Sequence, residues 1–170
     1  MRHQRGFTLV ELVIVITIMS IILVLGVVNL RSSQATARDQ ERKTDIDNIA
    51  RGLEGFYTNS TGTPSYPSTY IGNAATSDAD VTSALQNIDI KSLQAPGVGA
   101  GTRSLKSATN ANETTTGVSP SLTDATTYLY QPLQLDNTLC TLTTQECRRY
   151  NLFYRLEGGT TVYKVSSKNQ

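Results

Sequence analysis

The sequence predicts an α+β protein in which a long amino-terminal helix packs on a small antiparallel sheet. Three observations favour this class. An uncharged apolar segment lies near the amino terminus, an amphipathic segment of helical period follows it directly, and the last part of the chain alternates apolar and polar residues around a Gly-Gly pair. The 170 residues leave room for one ordinary domain besides the apolar segment.

The apolar segment has the length of a membrane span. No charged residue occurs between Leu12 and Leu30, and Arg31 ends the run. As a helix, these 19 residues would extend about 28 Å, close to the thickness of the hydrocarbon layer. Because Arg2 and Arg5 precede the segment, the positive-inside rule predicts a cytoplasmic amino terminus and export of everything after Leu30.

One carboxylate, Glu11, interrupts the apolar character at the start of this helix. A charged side chain in a membrane segment costs about 2.5–3.5 kcal/mol on insertion scales, which makes it a functional-site hypothesis. No small-residue cleavage site follows the apolar run, so processing is expected before it. In a chain starting at Phe7, Glu11 would lie about 6 Å along the helix from the terminal amine and could pair with the amine of a copy displaced by one turn. Alternatively, Glu11 snorkels to the lipid headgroups.

The stretch Gly6-Phe7-Thr8-Leu9-Val10-Glu11, behind a short basic leader and before a long apolar helix, resembles the processing site of type IV pilins and pseudopilins. The resemblance implies cleavage between Gly6 and Phe7 and N-methylation of Phe7. It also implies the ladle-like pilin fold, with a filament-core helix over residues 7–30 and a role for Glu11 in subunit register. The residues expected to pack in that core are Leu9, Val10, Leu12, Val13 and Ile16.

The same resemblance implies a structural role. The precursor would be held in the inner membrane, with a prepilin peptidase, an assembly platform and its ATPase as partners. It would then polymerise with copies of itself into an extracellular filament for adhesion, twitching motility or DNA uptake. A major pilin is preferred because Glu11 is intact. The first alternative is a minor pilin or a type II secretion pseudopilin. The second alternative is a single-pass anchored protein that never polymerises. Many pilins carry a helix-kinking proline at the position of Val28, and this chain does not. Whether its helix unwinds near Gly26 in a filament is therefore left open.

The helix is expected to continue through residues 31–58 with an amphipathic pattern. Charges of alternating sign indicate a solvated face, on which Asp39–Lys43 and Asp47–Arg51 have the favourable acid-first i,i+4 order. An apolar stripe on the other face must be buried against the head. The stripe consists of Ile46, Ile49, Ala50, Leu53, Phe56 and Tyr57, and the residues that end the helix are Gly62, Pro64 and Pro67.

The remaining residues, 59–170, are expected to form a head rich in serine and threonine. Ser77-Asp78-Ala79-Asp80 resembles a capping box and predicts a short helix after it. The segment Gly97–Ser121 shows no periodic pattern and is interpreted as a flexible surface loop. Asn59-Ser60-Thr61 and Asn112-Glu113-Thr114 match glycosylation sequons, which arise easily by chance in Thr-rich sequence.

An antiparallel hairpin is predicted at the carboxyl-terminal end of the head. Leu152–Glu157 alternates, Gly158-Gly159 supplies a two-residue turn, and Thr160–Ser166 returns, while Tyr128–Tyr130 forms a further short strand. The apolar face of the hairpin should cover the helix stripe. The predicted pairs across the turn are Tyr154–Tyr163, Leu152–Val165 and Leu156–Thr161, and the predicted polar face carries Arg155, Glu157 and Lys164.

The few cysteine and histidine residues argue against a metal site and against a catalytic site. Cys140 and Cys147 are expected to form a disulfide on the exported side, with two buried thiols as the alternative. The single histidine, His3, lies in the leader, residues 1–6, and the cysteine spacing is a poor fit to zinc motifs. The sequence therefore predicts no catalytic residue, no cofactor and no metal site.

Two weaker patterns do not change this interpretation. The carboxylate pairs Asp45/Asp47 and Asp78/Asp80 fit a helix face and a capping position better than an enzyme site. Arg148-Arg149 could touch DNA phosphates, but two basic residues make a weak patch, and an exposed charge at a strand edge is preferred.

Overall fold

The computed structural model describes residues 6–60, 62–86 and 88–168, and for residues 28 and 29 the backbone alone. The chain divides into two compact units, Met1–Ala37 and Arg38–Gln170. The helices are α1 (Leu9–Thr58) and α2 (Asp78–Ala84), with short 3₁₀ helices at Thr69–Gly72 and Ile90–Leu93; the strands are β1 (Leu105–Ser107), β2 (Tyr128–Leu133), β3 (Arg149–Arg155) and β4 (Val162–Ser166). The predicted long helix is confirmed, and it ends before Gly62.

The amino-terminal unit contains the apolar part of α1. Within the described residues, α1 is the one helix long and apolar enough to cross a membrane. All of its large apolar side chains whose placement is described, from Phe7 to Leu30, are exposed on the surface of the single chain. A helix that is apolar all round needs an apolar environment supplied by lipid or by other chains.

The sheet of the second unit has four strands in the order β1-β2-β3-β4. Strands β2, β3 and β4 are antiparallel neighbours, and the predicted pairs Tyr154–Tyr163 and Leu152–Val165 are confirmed. The third predicted pair lies beyond the last paired residues of the strands. Strand β1, which was not predicted, pairs in parallel with β2, so the sheet as a whole is mixed while its predicted strands are antiparallel.

The inner face of the sheet is covered by α1, as the helix stripe predicts. Ile46, Ile49 and Leu53 are fully buried in one cluster with apolar side chains of β2 and β3. Phe56, near the end of the stripe, stays half-buried. The predicted α2 is confirmed as well, and its N-cap Ser77 accepts a 3.1 Å hydrogen bond from the amide of Asp80.

The outer face of the sheet is covered by the segment that joins β1 to β2. Ala108 and Val118 from this segment pack against Leu129 and Phe153 in a second buried cluster. The buried amide of Gln131 on β2 donates 2.9 Å hydrogen bonds to backbone carbonyls of the same segment. The surface-loop interpretation of Gly97–Ser121 is therefore wrong for part of the segment, because it contains strand β1 and its residues Ala108 and Val118 are buried against the sheet.

Candidate assembly site

The start of α1 is closed by a reciprocal pair of side chains, Thr8 and Glu11. The amide and hydroxyl of Thr8 donate to Glu11 Oε2 at 2.9 and 2.8 Å. In return, the Glu11 amide donates to Thr8 Oγ1 at 3.2 Å. This is a capping box, which satisfies two of the amides that a helix leaves unpaired at its first turn.

The capping box leaves part of the Glu11 carboxylate available. Both bonds from Thr8 fall on Oε2, and within the described residues Oε1 accepts no hydrogen bond. Sequence reasoning treated Glu11 as an isolated charge and missed Thr8, although the Thr-x-x-Glu spacing is a recognised signal. The arrangement holds the carboxylate at the helix start while one oxygen still faces outward.

The peptide bond between Gly6 and Phe7 lies outside the helix. Residues 6–8 have no regular secondary structure, and the Phe7 side chain is 87% exposed. Residues 1–5 of the predicted leader lie outside the described part of the chain. The predicted filament-core residues next to this bond are exposed between 44% and 79%: Leu9, Val10, Leu12, Val13 and Ile16.

The charged part of α1 is less solvated than its pattern predicts. Arg42 is 2% and Asp45 is 6% exposed, so the prediction of a solvated face is wrong for these two residues. Arg42 donates from Nε to the Ala125 carbonyl at 3.0 Å and from Nη1 to Asp39 at 2.9 Å. Asp45 accepts a 2.8 Å hydrogen bond from the Tyr128 hydroxyl. Segments distant in sequence cover these groups, which no local pattern reveals.

The i,i+4 ion pairs predicted on this helix are not formed among the described residues. The Asp39 carboxylate binds Arg42 and accepts a 2.8 Å bond from the Glu157 amide, which leaves Lys43 without it. Glu157 in turn accepts two hydrogen bonds from Arg38, at 2.7 and 3.0 Å. The head is thus attached to the helix through Glu157, which follows β3 and belongs to the polar face predicted for the hairpin.

The other acidic and basic candidates have partners within the head. Asp78 pairs with Arg103 at 3.1 Å, and Asp80 accepts from the Ser77 hydroxyl at 2.7 Å. Arg149, the first residue of β3, pairs with Glu113 at 3.4 Å, and Arg148 donates to the Pro64 carbonyl at 2.7 Å, so both arginines of the pair are partly buried against the head. Among the described residues, no group of three or more metal-binding side chains occurs.

The predicted disulfide between Cys140 and Cys147 is confirmed. The backbone carbonyls of the two cysteines also hold the segment that follows α1. The Cys147 carbonyl accepts from the Tyr66 amide at 2.7 Å, and the Cys140 carbonyl accepts from the Thr69 amide at 3.0 Å. The disulfide loop therefore fixes the connection between the helix and the rest of the head.

Comparison with known proteins informs the amino-terminal site alone. No curated protein and no solved structure matches the chain. Residues 1–27 match the family model described as the prokaryotic N-terminal methylation motif. The matched region contains the exposed Gly6–Phe7 bond, the Thr8–Glu11 capping box and the beginning of the apolar helix. Residues 1–27 of the chain therefore carry a prokaryotic N-terminal methylation motif, the kind of signal peptide found in type IV pilins and pseudopilins.

Proposed function

We propose that the chain is a structural subunit, of the major-pilin kind, of a type IV pilus. A prepilin peptidase cuts it after Gly6, Phe7 is N-methylated, and the apolar part of α1 holds the precursor in the inner membrane. An assembly platform with its ATPase then polymerises it into an extracellular filament. The single observation that carries the proposal is a helix that begins within a methylation motif and whose large apolar side chains are exposed.

Cohesion of the filament comes from the apolar part of α1. Side chains that are exposed in one chain become buried when several such helices pack together, and burial of apolar area is the main driving force of association. Leu9, Val10 and Leu12 belong to this surface. The heads remain outside the helix bundle and form the coat of the filament, which serves adhesion, twitching motility or DNA uptake.

Register of the filament comes from Glu11. Its Oε1 is available, and the new ammonium of Phe7 in a neighbouring copy is the complementary donor. A carboxylate and an ammonium that enter an apolar bundle together neutralise each other, whereas either one alone carries a large desolvation penalty. Subunits displaced by one helical turn satisfy both groups at once.

The test is the sheared surface fraction of cells that possess an assembly machinery. We expect intact mass and amino-terminal sequencing to find a chain that starts at methylated Phe7. Glu11→Gln should still be anchored in the membrane but absent from that fraction. The matched control is Glu41→Gln, the same chemical change further along α1, which should leave filaments intact.

Four outcomes would count against the proposal in different ways. Normal filaments from Glu11→Gln would remove the register role of Glu11. A chain that starts at Met1 and occurs in membranes alone would favour the non-polymerising anchored protein. A processed chain that enters a short periplasmic fibre, rather than a surface filament, would favour a pseudopilin, and its presence in trace amounts in surface filaments would favour a minor pilin.

A further inference from the structure

A cleft of about 630 Å³ opens on the second unit between the end of α1, the 3₁₀ helix at Thr69–Gly72 and α2. This volume falls within the range of about 300–1,000 Å³ that is typical of small-molecule sites. None of the described residues that line the cleft carries a positive charge. Its wall brings together two aromatic rings, two amides, one carboxylate and one serine hydroxyl: Phe56, Tyr70, Asn59, Gln86, Asp80 and Ser83. We call it the α1–α2 cleft.

Two half-buried aromatic residues supply the apolar part of the cleft. Phe56 belongs to the apolar stripe of α1, yet it stays half-buried while Ile49 and Leu53 are fully buried. Tyr70, from the 3₁₀ helix, is half-buried as well. An aromatic ring presents a flat apolar face, which fits the C–H face of a sugar ring. The cleft therefore offers an apolar platform beside its polar groups.

A phenol and a carboxylate in the cleft have hydrogen-bonding capacity that the chain does not use. Oδ2 of Asp80 accepts a 2.7 Å bond from the Ser77 hydroxyl, whereas Oδ1 accepts none from the described residues. The Tyr70 hydroxyl has no partner among those residues either. Burial, together with the nearby Asp80 charge, raises the pKa of Tyr70, so the phenol keeps its proton and can donate. A ligand with both donors and acceptors would satisfy these groups.

The two amides of the cleft are oriented by an unusual backbone conformation. Gln86 follows Leu85, the C-cap of α2, with a φ of 61°, a left-handed conformation that glycine or asparagine usually takes at this position. Its side chain lies over Gly55, and its Oε1 accepts a 3.1 Å bond from Asn59 Nδ2. Within residues 6–60, 62–86 and 88–168, Gln86 Nε2 and Asn59 Oδ1 have no partner. One donor and one acceptor thus remain for a ligand.

We propose that the α1–α2 cleft binds the terminal pyranose of a neutral glycan. The C–H face of the sugar packs on Phe56. Its hydroxyls donate to Oδ1 of Asp80 and exchange hydrogen bonds with the Tyr70 hydroxyl and the two amides. The site is complete within one head and requires no neighbouring copy, so the inference goes beyond the proposed function and does not depend on polymerisation.

Charge and polarity separate this ligand from its alternatives. A sialylated or phosphorylated ligand would place its anion beside Asp80, with no cation among the described lining residues to offset the repulsion. A purely apolar ligand would bury the carboxylate and the two amides without hydrogen bonds. A quaternary ammonium ion would satisfy Asp80 and the rings but would leave the amides unused. A neutral sugar uses every kind of group in the cleft.

Immobilised glycans test the proposal with the full chain in a detergent whose headgroup is not a sugar. The array carries oligosaccharides that end in galactose, glucose, mannose, N-acetylglucosamine or N-acetylgalactosamine, and the same oligosaccharides capped with sialic acid. We expect binding to at least one neutral end and roughly tenfold weaker binding after that end is sialylated.

Two substitutions remove the groups that should hold the sugar. Asp80→Asn removes the charged acceptor, and we expect roughly tenfold weaker binding. Its matched control is Asp89→Asn, because Asp89 also caps a short helix but lies outside the cleft. Phe56→Leu keeps an apolar side chain and removes the flat ring, which should weaken binding about fivefold.

A third substitution fills the cleft. Ser83 lines the cleft and is exposed on α2, so Ser83→Trp should abolish binding without disturbing the core. Ala79→Trp is the control, because Ala79 is also exposed on α2 but does not line the cleft. Thermal unfolding shows whether each variant folds.

The results separate the site, the ligand class and the proposed function. Binding to a neutral glycan that the three cleft variants weaken and both controls retain supports the proposal. Absence of binding to every neutral glycan, or unchanged binding by Ser83→Trp, would overturn it. Stronger binding of the sialylated glycans, or displacement by choline at lower concentration than by the free sugar, would overturn the neutral-sugar assignment. A chain that binds sugar but never enters sheared filaments would overturn the proposed function alone.

Discussion

The hydroxyl of Tyr128 on β2 donates a 2.8 Å hydrogen bond to the carboxylate of Asp45 on α1, and both side chains are buried. Burial raises the pKa of Asp45 to about 6, from an ordinary value of 3.8, against the lowering effect of the Tyr128 hydrogen bond. Burial, helped by the nearby Asp45 charge, likewise raises the pKa of Tyr128. The contact that joins helix and sheet is therefore made with a carboxylate that ionises reluctantly.

The pH dependence of folding should carry the signature of Asp45. Because its folded-state pKa is above the unfolded one, the unfolded state releases a proton between about pH 4 and 6, and the contribution of Asp45 to stability falls as pH rises through this range. Asp45→Asn keeps a hydrogen-bond acceptor but removes the charge. We expect the difference in unfolding free energy between this variant and the unaltered chain to be about 1 kcal/mol more favourable to the variant at pH 8 than at pH 4. Denaturant unfolding of both chains at the two pH values measures this difference.

The donor side of the same contact gives the opposite result. Tyr128→Phe leaves the buried carboxylate of Asp45 without its hydrogen bond, and we expect it to lower the free energy of unfolding at pH 8 by about 1–3 kcal/mol. Tyr163→Phe, at a tyrosine that is 40% exposed on β4, is the matched control and should change it by less than about 0.5 kcal/mol. Equal effects of the two variants would contradict this account.

Two glycines of α1 should respond differently to alanine. A Cβ at Gly52 would lie 2.7 Å from the Leu85 backbone oxygen, whereas at Gly55 its nearest neighbour would be the flexible Gln86 side chain, at 2.8 Å. We expect Gly52→Ala to lower the free energy of unfolding by about 1–3 kcal/mol, because backbone must move. Gly55→Ala should be neutral or stabilising by up to about 1 kcal/mol, since alanine favours the helix. Thermal unfolding of both variants side by side makes the comparison.

Elements with a periodic pattern were predictable from the sequence, and elements specified by distant contacts were not. The hairpin register follows from alternation and the Gly-Gly pair, so Tyr154 and Tyr163 could be placed opposite each other before the structure was known. Strand β1 has three residues, too few to show a period, and its pairing with β2 is parallel and needs a long crossover. Its position depends on the sheet that it joins rather than on its own residues.

The site shows the same division. Gly6, Phe7 and Glu11 stand in a local motif, and the roles proposed for them rest on it. Arg42 and Asp45 have the alternating charges of a solvated helix face, and their burial depends on Ala125 and Tyr128, about eighty residues away in sequence. The capping role of Thr8 depends on the local Thr-x-x-Glu spacing and requires no distant contact.

Removal of the disulfide should weaken the head without changing its fold. The bond closes a short loop, for which the loop-closure model gives about 2–3 kcal/mol. We expect the double variant Cys140→Ala, Cys147→Ala to lose roughly that amount of unfolding free energy. A reductant should lower the denaturation midpoint of the unaltered chain and leave that of the double variant where it is. A midpoint that the reductant does not change in either chain would mean that the bond carries no stability.

Glu54 should be the carboxylate of α1 whose loss costs most in the head. Its Oε2 accepts from the Tyr66 hydroxyl at 2.9 Å, and its Oε1 accepts from the Tyr150 hydroxyl at 3.1 Å and from the Lys168 amide at 3.0 Å. One carboxylate thus joins the helix to the segment that follows it, to β3 and to the chain after β4. An amide offers a single acceptor oxygen, so Glu54→Gln must leave at least one of these donors unsatisfied.

We expect Glu54→Gln to lower the free energy of unfolding by about 1–3 kcal/mol. Glu41→Gln is the control, because Glu41 pairs with an exposed Lys91 at 3.0 Å. This variant should change the free energy of unfolding by less than about 0.5 kcal/mol. Hydrogen exchange adds a second readout, because a general loss of stability would speed exchange throughout the head and not at one amide in particular. The Lys168 amide should exchange faster in Glu54→Gln under native conditions, while the amides of β2 should change in proportion to global stability alone. Unchanged protection of Lys168 would show that Glu54 does not hold the end of the chain.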